Sequence, residues 1–250
     1  MTKFSINLNK FALIRNSRGH DKPNLLAMAR RCIARGAHGI TVHPRPDQRH
    51  TRYDDVPALA ELVRATPPVE FNVEGNPVPA FITLVLDARP DQVTLVPDAD
   101  DQLTSDHGWD AVANADRLSD LVKQFADAGI RTSLFMDPDE QQIEAVSRTG
   151  AARIELYTGP YADAFDTPRF SHTTEIYANA ARFAQSHGLG VNAGHDLSLT
   201  NLGAFLRAVP DVLEVSIGHA LVCESFDHGL EGTIDRYLAI IAESALTRSS

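Results

Sequence analysis

ARRCIARGAHGITVHPRPDQRH, Ala29 to His50, carries an amphipathic stretch, then Gly36, then the β-forming run Ile40, Thr41 and Val42. A glycine there can take the left-handed conformation that ends a helix, and the residues after it favour a strand. Pro44 and Pro46 then force the backbone out of any sheet, so His43, Arg45, Arg49 and His50 land at the strand's C-terminal edge. The same joint recurs in KQFADAGIRTSLFMD, EAVSRTGAARIELYTG and FAQSHGLGVNAGH, turning at Gly129, Gly150 and Gly188.

Filling the gaps predicts eight strands: Phe4 to Asn9, Gly39 to His43, Val69 to Glu74, Gln92 to Pro97, Arg131 to Asp137, Arg153 to Gly159, Gly190 to His195 and Glu214 to His219. Helices fit between and after them, over Asn24 to Arg35, Asp54 to Ala65, Val78 to Ala88, Asn114 to Ala128, Asp139 to Arg148, Thr174 to His187, Asn201 to Ala208 and Gly232 to Ala245. Eight alternating units imply a parallel sheet closed into a single (β/α)8 TIM barrel, and 250 residues is the ordinary size of one. An open doubly wound sheet is disfavoured because NKFALIRNSRGH, after the first strand, has no GxGxxG turn. No linker divides the chain, so one domain over residues 1–250 is expected. The stretches Pro97 to Val112 and Pro160 to His172 exceed a simple turn and read as lids or walls.

The net charge of -10 argues against a nucleic-acid or anionic-membrane partner, both of which need a positive footprint. Residues 1–53 nevertheless hold 11 Lys and Arg against 2 acids, which points to a small anion such as a phosphate. No apolar run approaches the roughly 18 residues of a membrane span, and the N-terminus lacks a signal-peptide core. Cys32 and Cys223 have no CxxC partner; both read as core thiols, in keeping with the cytoplasm.

Polar residues collect at the predicted strand ends: Asn7 and Asn9, His43 and Arg45, Glu74, Thr104 beyond the fourth strand, Asp137, Glu155, His195 and His219. In a barrel these ends converge on one mouth. Glu74 closes an apolar strand, where partial desolvation raises a carboxyl's pKa toward neutrality; helix capping is its structural alternative. Glu155 alternates with Ile154 and Leu156, so it points inward and needs a partner, expected to be a histidine or arginine. VNAGHD and VSIGHA each end a strand in Gly-His, making Gly194, Gly218 and His219 candidates for holding phosphate, with His195 nearer the reaction. A divalent metal is an alternative for such a histidine and carboxylate set, although no HExxH pair is present.

SINLN, RNSRG, GITVHPRPDQRH, FNVEGNP, ADAGIRTSLFMD, IELYTGPYA, VNAGH and SIGHALV together resemble the pyridoxine 5'-phosphate synthase family over nearly the full length. The resemblance implies condensation of 1-deoxy-D-xylulose 5-phosphate with 3-amino-2-oxopropyl phosphate, without a redox cofactor or metal. It implies that His43 and Glu74 accept protons and His195 donates one, with Glu155 in a supporting relay. Arg45, His50 and Thr104 would hold the deoxyxylulose phosphate; Asn7, Arg18, Gly218 and His219 would hold the aminoketone phosphate or the product's phosphate. It also implies a large homo-oligomer, an octamer.

Three positions depart from better-known members: Asn9 and Lys10 replace Asp-His after the first strand, and Asp196 replaces a Gly after the strand-seven histidine. The first two raise local positive charge and rearrange hydrogen bonding to sugar hydroxyls. Asp196 would repel a phosphate unless turned away or paired. Two competing readings remain: a sugar-phosphate isomerase, epimerase or aldolase on the same barrel, which requires a metal or an essential lysine, and a phosphosugar-binding barrel without turnover.

Overall fold

In a computed structural model, which describes residues 1–98, 102 and 104–248, eight parallel strands close into a barrel in chain order. They are β1 (Lys3–Asn7), β2 (Gly39–Val42), β3 (Glu70–Gly75), β4 (Gln92–Leu95), β5 (Arg131–Met136), β6 (Arg153–Tyr157), β7 (Gly190–Gly194) and β8 (Val212–Ile217), with β8 pairing back onto β1. Around them run α1 (Asn9–Asn16), α2 (Leu25–Ala34), α3 (Asp55–Arg64), α4 (Pro79–Ala88), α5 (Ala115–Asp127), α6 (Glu140–Ser147), α7 (Gly159–Ala164), α8 (Phe170–Ser186), α9 (Leu202–Ala208), α10 (His219–His228) and α11 (Leu230–Arg248). Gly36, Gly129, Gly150 and Gly188, which end α2, α5, α6 and α8, have φ of 100°, 78°, 84° and 79°, the left-handed values expected of the joints.

Alternation along each strand separates two environments. Phe4, Ile6, Ile40, Val42, Phe71, Val73, Val93, Leu95, Leu134, Met136, Ile154, Leu156, Val191, Val215 and Ile217 belong to the apolar core shared with the helices. The inner face is polar instead of the branched aliphatic filling usual in such barrels. Ser5 Oγ meets Thr41 Oγ1 at 2.7 Å, and the Thr94 hydroxyl donates to Asn72 Oδ1 at 3.1 Å. At the N-terminal end Glu70 pairs with Lys3 and, at 2.5 Å, with Arg131, whose Nε donates to Gln92 Oε1 at 2.9 Å. Satisfying these groups within the barrel avoids the 1–3 kcal/mol or so that an unpaired buried polar group costs.

Three helices were not expected from sequence. The segment after β1 folds into α1, so the first strand stops at Asn7 and Asn9 opens a helix. SIGHALV divides between β8 and α10, which makes His219 the first residue of a helix and not a strand end. Residues 160–172 are not a lid: α7 and the start of α8 occupy them, and Tyr161 is fully buried in edge-on contacts with Tyr177 and Phe205. In the loop after β4, Thr104 and Ser105 line the mouth as a wall, while residues 99–101 and 103 of the expected stretch lie outside the described residues. Trp109 pins this loop, donating through Nε1 to Leu95 O at 2.9 Å.

Cys32 is buried as expected, but Cys223 is exposed on α10, one turn beyond His219. Among the described residues no helix is long and apolar enough to cross a membrane.

Candidate active site

The C-terminal mouth of the barrel opens into a cavity of about 250 Å³. Of the candidate residues, Asn7, Asn9, Lys10, His43, Arg45, His50, Glu74, Thr104, Glu155, His195, Asp196, Gly218 and His219 all line it. Arg18 does not: it lies exposed beyond the end of α1. The neighbouring residues of RNSRG hold the loop after β2 instead, since Arg15 makes a two-point ion pair with Asp55 at 2.6 and 2.9 Å and Asn16 Nδ2 donates to His50 O at 2.7 Å.

Two carboxyl groups of the candidate set stand on the inner face. Glu74 Oε2 accepts from Asn7 Nδ2 at 3.2 Å and lies 4.0 Å from His43 Nδ1. Glu74 does not cap the following helix, which begins behind Val78. Burial, then the nearby charges of Glu155, Asp98 and Glu214, push its pKa well above the usual carboxyl range. Glu155 lacks the expected histidine or arginine partner; its Oε2 lies 3.5 Å from Thr94 Oγ1. Burial, followed by Glu214, pushes it up to about 8, so it meets desolvation by holding a proton. Gly194 makes room for it, because a Cβ there would lie 2.2 Å from Glu155 Oε1.

The histidines of the second loop are tuned oppositely. Burial, then the charges of Arg45 and Arg49, lowers His43 to about 3, leaving a neutral imidazole at pH 7 that can accept a proton. His50 is lowered to about 3 by burial and then by His43, Arg45 and Arg49; its Nδ1 accepts from Thr51 N at 3.0 Å. Arg45 is ion-paired with buried Asp98 and also donates to Gln102 O. Asn9 Oδ1 accepts from His43 N at 2.9 Å and from Thr51 Oγ1 at 3.0 Å, so this side chain braces the histidine loop. The Asn9 substitution thus serves the scaffold of the loop.

Opposite stand Lys10, Gly218 and His219, with the N-terminus of the ten-residue α10 at the cavity edge. Aligned peptide N–H groups at a helix start favour an anion, and a short extra helix after the last strands is a recurrent barrel phosphate site. A Cβ at Gly218 would lie 3.0 Å from Asn7 Cβ, so glycine permits the close packing of β1 and β8 here.

Sequence reading overlooked Ser216, which lines the cavity with a buried hydroxyl that has no hydrogen-bond partner among the described residues, and Glu214, one inward position deeper. Burial pushes Glu214 up to about 7 against the opposing pull of Arg153. Both were visible as alternate residues of VLEVSIG. Among the described residues, no three His, Cys, Asp or Glu side chains are grouped to hold a metal ion.

A closed βα barrel whose C-terminal mouth gathers cations, a helix N-terminus and titratable groups is a TIM-barrel enzyme site for small anionic substrates. The fold is shared with a mutant tryptophan synthase α-subunit of the hyperthermophile Pyrococcus furiosus, at TM-score 0.63 and 13% identity over 96% of this chain and 97% of that one. It is also shared with 3-keto-L-gulonate-6-phosphate decarboxylase of Vibrio cholerae, at TM-score 0.64 and 11% identity over 97% and 96%. Residues 4–243 match the family model of the pyridoxal phosphate biosynthesis protein PdxJ, and the chain belongs to that family. The pyridoxine 5'-phosphate synthase of Xanthomonas campestris pv. campestris (strain B100) is 54% identical over 253 residues, covering 98% of each chain. That of Xylella fastidiosa (strain M12) is 51% identical over 247 residues, covering 96% of this chain and 95% of the relative.

Proposed function

We propose that this protein is a pyridoxine 5'-phosphate synthase, condensing 1-deoxy-D-xylulose 5-phosphate with 3-amino-2-oxopropyl phosphate and releasing phosphate and water. The observation that carries this beyond the family match is the contrast at the mouth: neutral His43 lies 4.0 Å from Glu74, a carboxyl held far above its usual range. Imine formation, enolisation, loss of phosphate and ring closure are successive proton transfers, and they need several groups that exchange protons near neutrality.

In this reading His43 and Glu74 take protons and His195 gives one. A carboxylate as desolvated as that of Glu74 is a much stronger base than a solvated one. Glu155 supports the relay from behind, through its place beside Gly194. Arg45, His50 and Thr104 hold the phosphate of the sugar, while Asn7, Lys10, Gly218 and His219 hold the second phosphate with the start of α10. Arg18 reaches a phosphate only from another copy or through a rearranged segment, and we favour a homo-oligomer in which a neighbouring copy supplies it. Two free cysteines, one of them exposed, support a reducing, cytoplasmic setting.

The test is product formation by the purified protein in a chelator, following pyridoxine phosphate and released phosphate together, with Glu74→Gln beside it. Equal appearance of both products in the wild type is expected. In the variant kcat should fall by about 10²-fold or more with phosphate-ligand binding retained. Near-normal turnover by Glu74→Gln removes the base assignment. Binding without product in the wild type favours the phosphosugar-binding alternative.

A further inference from the structure

Strand β7 ends in two consecutive left-handed residues, neither of them glycine: His195 at φ 77° and Asp196 at φ 62°. A left-handed backbone is unfavourable for both residues, so the turn persists because its surroundings hold it. The Thr158 hydroxyl is shared between the carbonyl oxygens of Gly194, at 2.7 Å, and His195. On the other side, buried Asn201 donates through Nδ2 to Asp196 O at 3.1 Å and accepts from Ser198 N at 2.9 Å.

The strained turn places one side chain on the other. His195 Nδ1 lies 2.9 Å from Asp196 Oδ2, and His195 Nε2 lies 2.8 Å from Thr104 Oγ1. An ionised carboxyl only accepts, so Nδ1 carries a hydrogen and Nε2 is the nitrogen left to exchange protons. The hydrogen bond from His195, then the charges of His195, His219 and Lys10, hold Asp196 below its ordinary range although burial opposes them. Lys10 comes from α1 and His219 from α10; Tyr157, at the end of β6, meets the His195 ring edge-on at 5.3 Å, and His43 faces it from the end of β2.

We propose that Asp196 is a positioning residue: it fixes the His195 ring with hydrogen on Nδ1, presents Nε2 to the substrate, and balances the imidazolium from which Nε2 delivers its proton. This rests on the role of His195 as proton donor in the proposed function. In a dehydration step, the C–H proton goes to the base and its electrons form the new double bond. The departing hydroxyl keeps the C–O electrons, takes the Nε2 proton and leaves as water. The ring returns to its neutral form, still bonded to Asp196. Pairing also answers the charge conflict seen in the sequence, because the carboxylate is bonded to the His195 imidazole and has Lys10 nearby.

The experiment compares wild type, Asp196→Asn and Asp196→Glu by ¹⁵N NMR of the His195 ring and by kcat and KM across pH. In the ligand-free wild type the ring should show hydrogen on Nδ1, and Asp196→Asn should move it toward Nε2. In Asp196→Asn kcat should fall about 10–100-fold with KM little changed, a part of the roughly 10²–10⁴-fold that a positioned general acid contributes. The alkaline limb of the kcat profile should move to lower pH as the imidazolium loses its counter-charge, and Asp196→Glu should restore part of both effects. An unchanged ring signature and an unmoved pH limb in Asp196→Asn overturn the proposal. If the wild type makes no product, the proposed function falls on its own. The ring signature and the His195 titration then decide the pairing separately.

Discussion

Replacing Glu214 with glutamine should remove one contribution by which rising pH lowers this protein's stability. Glu214 is 2% exposed on the inner face of β8, and its Oε1 has no hydrogen-bond partner among the described residues. Burial carries its pKa from an ordinary 4.5 to about 7, against the opposing charges of Arg153, Arg131 and Lys3. Between those values the folded protein binds more protons at this site than the unfolded chain. Stability from the group is therefore complete below pH 4.5 and lost as pH rises through 7. At 1.36 kcal/mol per pH unit, the interval corresponds to a loss on the order of 3 kcal/mol. Glutamine keeps the shape and does not ionise. Its stability relative to wild type should rise by about that amount between pH 4.5 and 8, or about 6–12 °C in relative Tm for a chain of this size. Removing the Glu214 charge also lets Glu155 and Glu74 ionise more easily, since that charge helps to raise both, and this acts in the same direction. Thermal denaturation of both proteins at matched ionic strength reads the difference, and parallel Tm–pH curves would refute the assignment of a desolvated, ionising carboxyl at the base of the barrel.

Gly194→Ala places a methyl group 2.2 Å from Glu155 Oε1, so the Glu155 carboxyl must shift away from β7, toward the cavity it lines. It should cost about 1–3 kcal/mol and lower kcat; adding Glu155→Ala should recover stability without recovering kcat, and full activity in the single variant would show that Glu155 is free to move. Arg18→Ala and Glu74→Gln should each be nearly inactive alone. Mixed under conditions that exchange subunits, they should regain turnover, because a copy with intact Glu74 can receive Arg18 from its neighbour; no recovery on mixing means that Arg18 acts within its own chain.

The barrel was legible because its punctuation is local. Four glycine joints fix where helices stop, and the β-branched runs after them supply strands whose ends converge. The site was legible for the same reason: strand-end residues such as His43, Glu74 and His195 are defined by where the strand stops. Residues one layer down were harder to see. Glu214 and Ser216 lie on the alternating face of β8, but nothing at a strand end marks them. The helices α1 and α10 were hidden because neither has a side-chain N-cap, and α10 begins inside an apolar run that continues the strand pattern. The signal for α7 was present in Pro160 at its first turn. The partner of Glu155 could not be read from its strand at all, since its burial is resolved by protonation and by a glycine on the next strand, β7.

The distribution of charge along the barrel axis explains why a polar interior is compatible with a stable fold and useful to a proton-transfer site. At the N-terminal end Lys3, Glu70 and Arg131 satisfy one another as ions. Above them Glu214, Glu155 and Glu74 stand too close, and too far from water, for all three to be ionised together, so the interior retains protons at neutral pH. At the mouth burial, aided by Arg45 and Arg49, keeps His43 and His50 neutral. Each histidine is therefore an empty acceptor beside a carboxyl set that shares its protons without ionising fully. Bound phosphates offset the arginine charges and raise the proton affinity of the groups around them, so filling the site strengthens its bases at the moment they are needed. In the proposed mechanism Asp196 extends the same logic to His195, where a fixed carboxylate holds hydrogen on Nδ1 and leaves Nε2 on the cavity side. The acid and base sides of the mouth differ through their neighbours: arginines and burial beside His43, a carboxylate beside His195.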